Sequence, residues 1–260
     1  MKTTLYEHFH ADERNFVDKV FDWITRTEER HITKLTDFLD PRQAYILESM
    51  INSNLNVQHL LFGGYENAER KRALIAPDYM MIQKDEIPIQ VLSIRSEDVK
   101  FSKLIHGDFL GAILGLGIKR DKIGDLHILQ DQCQCIVAEE IIDYVNLHLR
   151  QVHRVHVSTD IVPLEQLKPM TVEMDESHFT VSSLRLDSII SDAVKMSRSK
   201  ILPHVKTGKC KVNWKVEEDP SKVLNEGDVI SLKGFGRFKI ISIEGKTKKG
   251  NIRLKIGKYI

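Results

Sequence analysis

The first third of the chain combines helical periodicity with one short apolar run. Between positions 11 and 30 the apolar residues fall on one side of a helix, at Phe16, Val17, Val20, Phe21 and Ile24. Asp40-Pro41 is typical of a helix start, because Asp caps free amides and Pro is preformed for the first turn. Residues 56–62 indicate a short strand, and the charged run 69–72 indicates the solvated end of a helix.

The middle of the chain alternates strand and helix patterns. The β-branched run 87–94 predicts a strand, and 102–116 a helix. Two strands, a helix and a last strand follow, at 125–129, 133–138, 139–149 and 152–157. The order β-α-β-β-α-β is that of a ferredoxin-like or RRM-like domain. The segment lacks the paired aromatic residues of an RRM sheet and a basic balance, so alone it is a weak candidate for RNA binding.

The last eighty residues show two short helices followed by strands. Leu186, Ile189, Ile190 and Ala193 have helical spacing, and a second helix is expected between Ser197 and Gly208. Pro203 removes a backbone hydrogen bond to Ser199, so it should bend or shorten that helix. Four strands are predicted after it, at 211–214, 229–232, 237–243 and 252–256.

These patterns predict an α+β protein of three domains with a strongly uneven charge. The predicted segments are an α-rich domain, a ferredoxin-like domain, a linker and a basic domain, at 1–74, 75–160, 161–180 and 181–260. The chain has a net charge of +1, but 181–260 holds 18 Lys and Arg against 8 Asp and Glu, which is +10. A basic module on an acidic body is the electrostatic footprint of a polyanion binder. A lysine-rich tail is the alternative, although the apolar residues and turn glycines of 181–260 are those of a folded domain.

The residue types and their spacing do not form a recognisable catalytic, metal or cofactor site. The three cysteines form no C-x-x-C pair, which predicts free thiols in a reducing compartment, and the eleven histidines lack metal-ligand spacing. There is no phosphate loop and no dinucleotide fingerprint. We find no apolar run of about 18 residues and no signal-peptide core at the N-terminus. We therefore expect a cytoplasmic protein without metal or cofactor, and without DNA or a membrane as partner.

Several short motifs in the basic segment resemble the S-four RNA-binding domain. They are Arg185-Leu186-Asp187, Ser197-Arg198, Gly208, Lys211-Val212-Asn213-Trp214 and Gly227-Asp228-Val229-Ile230. The whole chain is also similar to the YlmH family, bacterial three-domain proteins encoded near cell-division genes, whose signature resembles residues 115–125. The resemblance implies a protein that binds structured rRNA or tRNA on the large ribosomal subunit, in translation or ribosome-associated quality control.

The resemblance also implies which side chains contact RNA. In S-four domains two helices present cations to a phosphate backbone, and the matching residues are Arg185, Arg198, Lys200, Lys206, Lys209 and Lys211. Ser197 is expected to cap its helix and to leave amides facing an anion. Asn213 either contacts RNA or fixes a turn, and Trp214 either packs or stacks a base. Asp187 is expected to orient a neighbouring arginine or to cap a helix.

Two further basic clusters are candidates for a secondary RNA contact. Lys119, Arg120 and Lys122 lie within the family signature, where the alternative is a solvated loop. Lys248 and Lys249 lie at the tip of a predicted hairpin, where the alternative is a solvated turn.

Two other functions stay open at the level of sequence. Arg185-Leu186-Asp187 is similar to the catalytic motif of pseudouridine synthases, in which the aspartate is the nucleophile. There the motif continues Thr-Ser-Gly in a separate large domain, whereas here Ser188-Ile189-Ile190 follows within the binding domain. A non-catalytic RNA-binding protein is therefore favoured over an RNA-modifying enzyme whose catalytic domain is the middle one. An adaptor for cell-division proteins is the third possibility.

Overall fold

The structure, a computed structural model, describes residues 9–98, 100–168, 170 and 174–259. The chain divides into two compact units, one of residues 12–170 and one that contains 171–260. The α+β class is confirmed. The described helices are α1 Arg14–Arg30, α2 Pro41–Ile51, α3 His106–Gly115, α4 Glu139–His148, α5 Leu186–Ala193 and α6 Arg198–Lys206.

The strands form separate antiparallel sheets in the two units. In unit 12–170 they are β1 Lys34–Leu35, β2 Val57–Phe62, β3 Arg72–Pro77, β4 Ile89–Arg95, β5 Ile123–Ile128, β6 Gln132–Ala138, β7 Gln151–Val152, β8 Val155–His156 and β9 Ser158–Val162. In unit 171–260 they are β10 Met174–Val181, β11 Cys210–Val212, β12 Lys215–Val216, β13 Val229–Leu232, β14 Gly236–Lys246 and β15 Ile252–Tyr259.

The N-terminal part of unit 12–170 packs α1 and α2 with a three-stranded sheet of order β1-β3-β2. The predicted start of α2 is confirmed: the amide of Gln43 donates to Asp40 Oδ1 over 2.8 Å, and the amide of Asp40 donates to Gln43 Oε1 over 3.0 Å. This reciprocal capping box satisfies two backbone donors at the helix start. Val17, Val20 and Ile24 of α1 are buried as the stripe predicts, whereas Phe21 is exposed.

Strand β3 contradicts the interpretation of 69–72 as a solvated helix end. All six residues of β3 are buried, and Arg72 is its first residue. A strand buried on both faces shows no alternation of apolar and polar positions, and its charged lead-in hides the boundary. The predicted domain limit at 74 therefore falls inside this strand.

The middle part of unit 12–170 has the predicted element order β-α-β-β-α-β. Its sheet has the order β5-β6-β4-β9 with every neighbour antiparallel, and α3 and α4 cover one face. The last strand differs from the prediction of 152–157: those residues form the small β7–β8 hairpin, and β9 at 158–162 pairs with β4. Val152, Val155 and Val157 are buried, which produces a strand-like pattern, whereas the edge strand β9 is largely exposed.

Gly124 of β5 occupies a position where no side chain fits. A Cβ atom there would lie 2.9 Å from Phe38 Cε1 and 3.1 Å from Ile136 Cβ. We expect Gly124→Ala to lower the free energy of unfolding by about 1–3 kcal/mol, because a packed core does not accept extra volume.

Gly111 provides the matched control for this substitution. It lies in α3, and a Cβ there meets nothing within 4 Å. Gly111→Ala should raise the stability by about 0.5–1 kcal/mol, since alanine is the better helix former. Urea denaturation compares the two variants, and equal effects would contradict the packing described here.

Unit 171–260 packs α5 and α6 on one face of a six-stranded sheet of order β10-β15-β14-β13-β11-β12. The predicted linker 161–180 differs from the structure at both ends. Ile161 and Val162 belong to β9, and 174–181 form β10, which pairs along its length with β15. Strand β10 lies at the sheet edge and has mostly exposed polar residues, so its sequence lacks the apolar alternation of a strand.

The two helices of this unit follow the predicted pattern closely. Helix α6 runs through Pro203 and ends at Lys206, one turn later. Gly208 then adopts a left-handed φ of 69°, as expected for a helix stop. The predicted strand 211–214 is shorter, because Asn213 and Trp214 have φ of 49° and 65° and form the turn between β11 and β12.

Candidate nucleic-acid interface

A hydrogen-bond network joins the start of α5 to the start of α6. The Arg185 guanidinium donates from Nε and Nη2 to the two carboxylate oxygens of Asp187, each over 3.1 Å. Asp187 is 5% exposed and also accepts from the amide of Ser188 over 2.9 Å. Arg198 donates to Ser188 Oγ over 2.6 Å and to Ser182 Oγ over 2.9 Å. The network therefore links Arg185 and Arg198 through the neighbouring residues Asp187 and Ser188.

Asp187 binds both guanidinium nitrogens that face it on Arg185, which fits the first of the two roles expected for it, orienting an arginine or capping a helix. Burial alone would raise the pKa of Asp187, but the hydrogen bonds and charge of Arg185 lower it below its ordinary value. The same bidentate contact raises the pKa of Arg185. A carboxylate fixed in this way by a neighbouring guanidinium is a structural partner, and the Arg185 side chain remains 41% exposed.

Loss of the Asp187 carboxylate should have a pH-dependent effect on stability. Asp187→Asn is expected to lower the free energy of unfolding by about 1–2 kcal/mol at pH 7. Because the folded pKa is depressed, the carboxylate contributes stability above the unfolded value of about 4 and loses it as the pH falls. Thermal melting at pH 7 and pH 3 should therefore show a difference from wild type that shrinks in acid. Asp175→Asn, at an exposed position, is the control; a pH-independent deficit in Asp187→Asn would contradict this account.

Helix α6 begins after Ser197 without a cap from that side chain. Ser197 is in the N-cap position, but its Oγ lies 3.0 Å from Ser199 Oγ and makes no capping hydrogen bond to the helix. The predicted side-chain cap is therefore wrong, because the hydroxyl is engaged with the neighbouring serine. Ser197 still begins the helix at the predicted residue.

The cations of α6 lie on its solvent side. Ile201 and Val205 are buried against the core, and helical spacing places Lys200 and Lys206 on the flanks of the opposite side. Both lysines are exposed. Lys209 follows the Gly208 turn and is exposed as well.

Lys195 belongs to the same surface and is absent from the sequence-based candidates. It lies in the turn between α5 and α6 with a φ of 54°, and it is exposed. The spacing of Lys195, Arg198 and Lys200 around the predicted helix start was a usable signal for it. We name the following set the helix-pair surface: Arg185, Lys195, Arg198, Lys200, Lys206 and Lys209.

Lys211 and Asn213 do not join the helix-pair surface. Cys210 and Val212 of β11 face the core under the helices, so the alternation of a strand places Lys211 on the other face of the sheet. The Asn213 amide donates to Asp228 Oδ1 over 2.8 Å and accepts from the amide of Val229 over 2.9 Å. Asn213 therefore fixes a turn, which was the alternative interpretation of this residue.

The secondary contact in the family signature is contradicted for two of its three residues. Arg120 donates from Nη1 to the carbonyl oxygen of Ile123 over 2.5 Å. Lys122 Nζ binds Asp37 over 2.5 Å and Glu140 over 2.8 Å. The Arg120 and Lys122 cations therefore bind groups of the protein itself, whereas Lys119 is exposed.

The signature instead joins the N-terminal and middle parts of unit 12–170. Asp125 accepts from the Tyr65 hydroxyl over 2.9 Å, from the amide of Glu69 over 2.7 Å and from the amide of Arg70 over 3.1 Å. The Asp121 carbonyl accepts from the amide of Phe38 over 2.7 Å. These contacts could not be predicted from the sequence, because the residues that they join are about 50 to 85 positions apart along the chain.

Lys248 and Lys249 lie where the sequence placed them, in the turn between β14 and β15. The amide of Thr247 donates to the Asn251 carbonyl over 2.7 Å and closes the turn. Both lysines are exposed. Their role as a second phosphate contact stays a prediction.

The groups of the middle part whose pKa values are strongly shifted are buried or bound to neighbouring side chains. Burial lowers the pKa of Arg120 to about 10 and raises the pKa of Cys135 to about 12. Burial would raise the pKa of Glu140, but Lys122 and Arg72 lower it to about 2. All three cysteines are buried thiols. Within the described residues no three His, Cys, Asp or Glu side chains converge as metal ligands, and no helix has the length and hydropathy of a membrane span.

The sheet face on which RRM modules stack bases is covered in the middle part. Phe38 packs against Ile136 on this face. The Gln134 amide donates to the Gln166 carbonyl over 3.0 Å, and the amide of Met170 donates to His127 Nδ1 over 3.1 Å. This face therefore serves internal packing.

Comparison with known proteins matches most of the chain. A family model described as "YlmH, N-terminal" matches residues 12–80, and one described as "Putative RNA-binding domain in YlmH" matches 83–166. The chain is 41% identical over 250 residues to the "Ribosome-associated protein quality control protein P2" of Bacillus subtilis (strain 168), with 96% of each chain covered. It also shares a fold with the "Cell division protein ylmH from Streptococcus pneumoniae", with a TM-score of 0.55 and 24% identity over 62% of this chain and 98% of that one.

The family model that matches residues 83–166 is named for RNA binding, whereas the sequence of this region predicts only weak RNA binding. Residues 83–166 hold 9 Lys and Arg against 13 Asp and Glu, so composition carries no signal of RNA binding there. The match to both family models and the identity across almost the full length show that the chain belongs to the YlmH family.

Proposed function

We propose that this protein is a non-catalytic, cytoplasmic RNA-binding protein of the ribosome that acts in translation or ribosome-associated quality control. Its ligand is structured rRNA or tRNA on the large ribosomal subunit. The observation that carries the proposal is the helix-pair surface, which gathers six cations on a unit whose net charge over 181–260 is +10. The printed name of the Bacillus subtilis relative supports the ribosomal setting.

The chemistry of the helix-pair surface suits recognition of the shape of a folded RNA rather than of its base sequence. It offers planar guanidinium groups at Arg185 and Arg198 and mobile ammonium groups on α6, which suit phosphate oxygens. Arg198 is fixed by two serine hydroxyls, so one cation of the surface is held in place before RNA arrives. Recognition by phosphate position and backbone shape follows from such a surface.

The contribution of the middle domain to RNA binding is proposed to be secondary. Its sheet face is covered, and two of the three basic residues in its signature are bound internally. Lys119 is the exposed residue of that cluster and is proposed as a peripheral contact.

An RNA-modifying enzyme is the alternative function, and in its pseudouridine-synthase-like form it requires a different role for Asp187. In the enzyme Asp187 would attack the substrate, which requires an open carboxylate. Here both carboxylate oxygens accept from Arg185 and the side chain is buried. We therefore propose a positioning role for Asp187 and no chemical step.

The proposed function is tested by sedimentation of a cell lysate through a gradient that separates the ribosomal subunits. Wild-type protein is expected to migrate with the large subunit, and Lys200→Glu/Lys209→Glu with the free protein. Lys19→Glu/Arg30→Glu, which makes the same charge change at exposed positions of α1, should migrate like wild type. Migration of wild type with free protein at low salt would overturn the ribosomal assignment.

A further inference from the structure

The sheet of unit 171–260 has a second face that the helices do not cover. Most buried residues of the central strands face α5 and α6, among them Val212, Ile230, Phe238, Ile240 and Ile256, whereas Val229 is buried on the other face. Because side chains alternate along a strand, the residues between them point to the opposite face. We call that opposite face the outer sheet surface.

Strand register places aromatic and basic residues in adjacent rows of the outer sheet surface. Lys211 pairs with Ser231, Ser231 with Arg237 of β14, and Tyr259 lies beside Arg237, one residue beyond the Phe238–Lys258 pair. In the next row Val229 pairs with Lys239. Cross-strand neighbours on one face lie about 5 Å apart, so these residues form a continuous patch.

Arg237 contacts two aromatic rings in this patch. Its guanidinium carbon is 5.8 Å from the centroid of the Trp214 ring and 4.3 Å from that of Tyr259. The left-handed turn at Asn213 and Trp214 carries the indole to the sheet from the end of β11. Contacts of this kind between a cation and an aromatic face hold the rings in fixed positions. Both rings remain partly exposed.

The charge of the outer sheet surface is mainly positive. Its basic residues are Lys211, Arg237, Lys239, Arg253 and Lys255. Two carboxylates lie on the same face: Glu176 forms an ion pair with Lys255 over 2.6 Å, and Glu244 lies 3.3 Å from His178. Lys211 and Arg253 are exposed, and Lys239 is partly exposed.

We propose that the outer sheet surface binds an unpaired stretch of RNA. The bases stack on Trp214 and Tyr259, and Lys211 and Lys239 contact the phosphates on either side. Aromatic side chains flanked by cations suit unpaired bases, because every base has a face to stack and a duplex hides it. The proposal rests on the proposed function only in taking RNA as the ligand; its site and the form of RNA it binds are separate from those of the helix-pair surface.

Trp214 provides a direct reporter of this binding. The chain has two tryptophans, Trp23 and Trp214. In a Trp23→Phe variant of the full chain, a single-stranded oligouridine of about twelve nucleotides should quench the emission of Trp214, since a stacked base contacts the indole. In a Trp214→Phe variant the emission of Trp23 should stay constant. Unchanged Trp214 emission at saturating oligouridine would overturn the proposal.

Charge reversal separates this site from the helix-pair surface. In the Trp23→Phe background, Lys211→Glu/Lys239→Glu should weaken the quenching by oligouridine on the order of tenfold or more, whereas Lys200→Glu/Lys209→Glu should leave it close to its starting value. If only Lys200→Glu/Lys209→Glu weakened the quenching, the assignment of oligouridine binding to the outer sheet surface would be wrong. The two proposals can also fail separately. If Lys200→Glu/Lys209→Glu lost ribosome binding but oligouridine did not quench Trp214, the proposed function would be supported and the outer sheet site would be contradicted.

Two further ligands identify the form of nucleic acid. An RNA duplex of the same length should quench Trp214 less than oligouridine does, because its bases are stacked on each other. Weaker quenching by oligothymidine would assign RNA as the ligand, and stronger quenching would overturn that assignment.

Discussion

Lys200→Glu/Lys209→Glu should lower the affinity for structured RNA on the order of tenfold to a hundredfold at about 0.1 M salt. Both lysines are exposed cations, Lys200 in the first turn of α6 and Lys209 three residues after its end, so their replacement removes two phosphate contacts and adds two repulsive charges. The slope of the logarithm of affinity against the logarithm of salt concentration should fall by about two units, one for each lost contact. Fluorescence anisotropy with a labelled rRNA hairpin or tRNA over a salt series measures both effects.

The control for this result is Lys19→Glu/Arg30→Glu, which changes the net charge by the same amount in the other unit. If only the net positive charge mattered, both double substitutions would lower the affinity for RNA equally. Loss of a local contact lowers it only in Lys200→Glu/Lys209→Glu. Circular dichroism should show that both variants keep the wild-type fold. Equal affinities for the two variants would contradict a contact through the helix-pair surface.

Arg72→Ala should lower the free energy of unfolding of unit 12–170 by about 3 kcal/mol. The Arg72 side chain is 4% exposed and donates to the Thr36 carbonyl and the Pro88 carbonyl, each over 2.8 Å. It also binds both carboxylate oxygens of Glu140, over 2.9 and 3.2 Å. Its removal leaves the buried Thr36 carbonyl and the partly buried Pro88 carbonyl without this donor and opens a cavity where N-terminal and middle strands meet.

Urea denaturation of Arg72→Ala can be followed by Trp23 emission in a Trp214→Phe background, since Trp23 lies in this unit. The exposed Arg154→Ala is the control and should change stability by less than about 0.5 kcal/mol. Because the folded pKa of Glu140 is depressed to about 2, its part of the network is lost as the pH falls from the ordinary range of about 4 towards 2. A loss no larger than that of Arg154→Ala would show that Arg72 does not secure this junction.

Local signals made the helices predictable. Asp40-Pro41 and Gly208 mark helix ends through contacts within a few residues, and both ends lie where the sequence placed them. Strands β9 and β10 were misplaced because each lies at a sheet edge, where exposed polar residues replace the apolar alternation. Strand β3 was missed for the opposite reason, since it is buried throughout.

The candidate site was predictable as a charge distribution but not as a surface. The basic balance of 181–260 and the start of α6 can be read along the chain, whereas the face on which Lys211 lies depends on the pairing of β11 with β13. The same limit applies to the family signature. Lys122 looks like an open cation in a loop until the fold brings Asp37 and Glu140 next to it, whereas the Ile123 carbonyl that Arg120 binds is only three residues away.

Ultraviolet crosslinking of the protein to isolated large ribosomal subunits, followed by mass spectrometry of the crosslinked peptides, tests the central claim most directly. RNA crosslinks are expected in peptides that cover residues 185–209, which contain the helix-pair surface, and they should be lost in Lys200→Glu/Lys209→Glu. Crosslinks confined to peptides within 83–166 would contradict the account, because RNA would then be bound by the middle domain and not by the helix-pair surface.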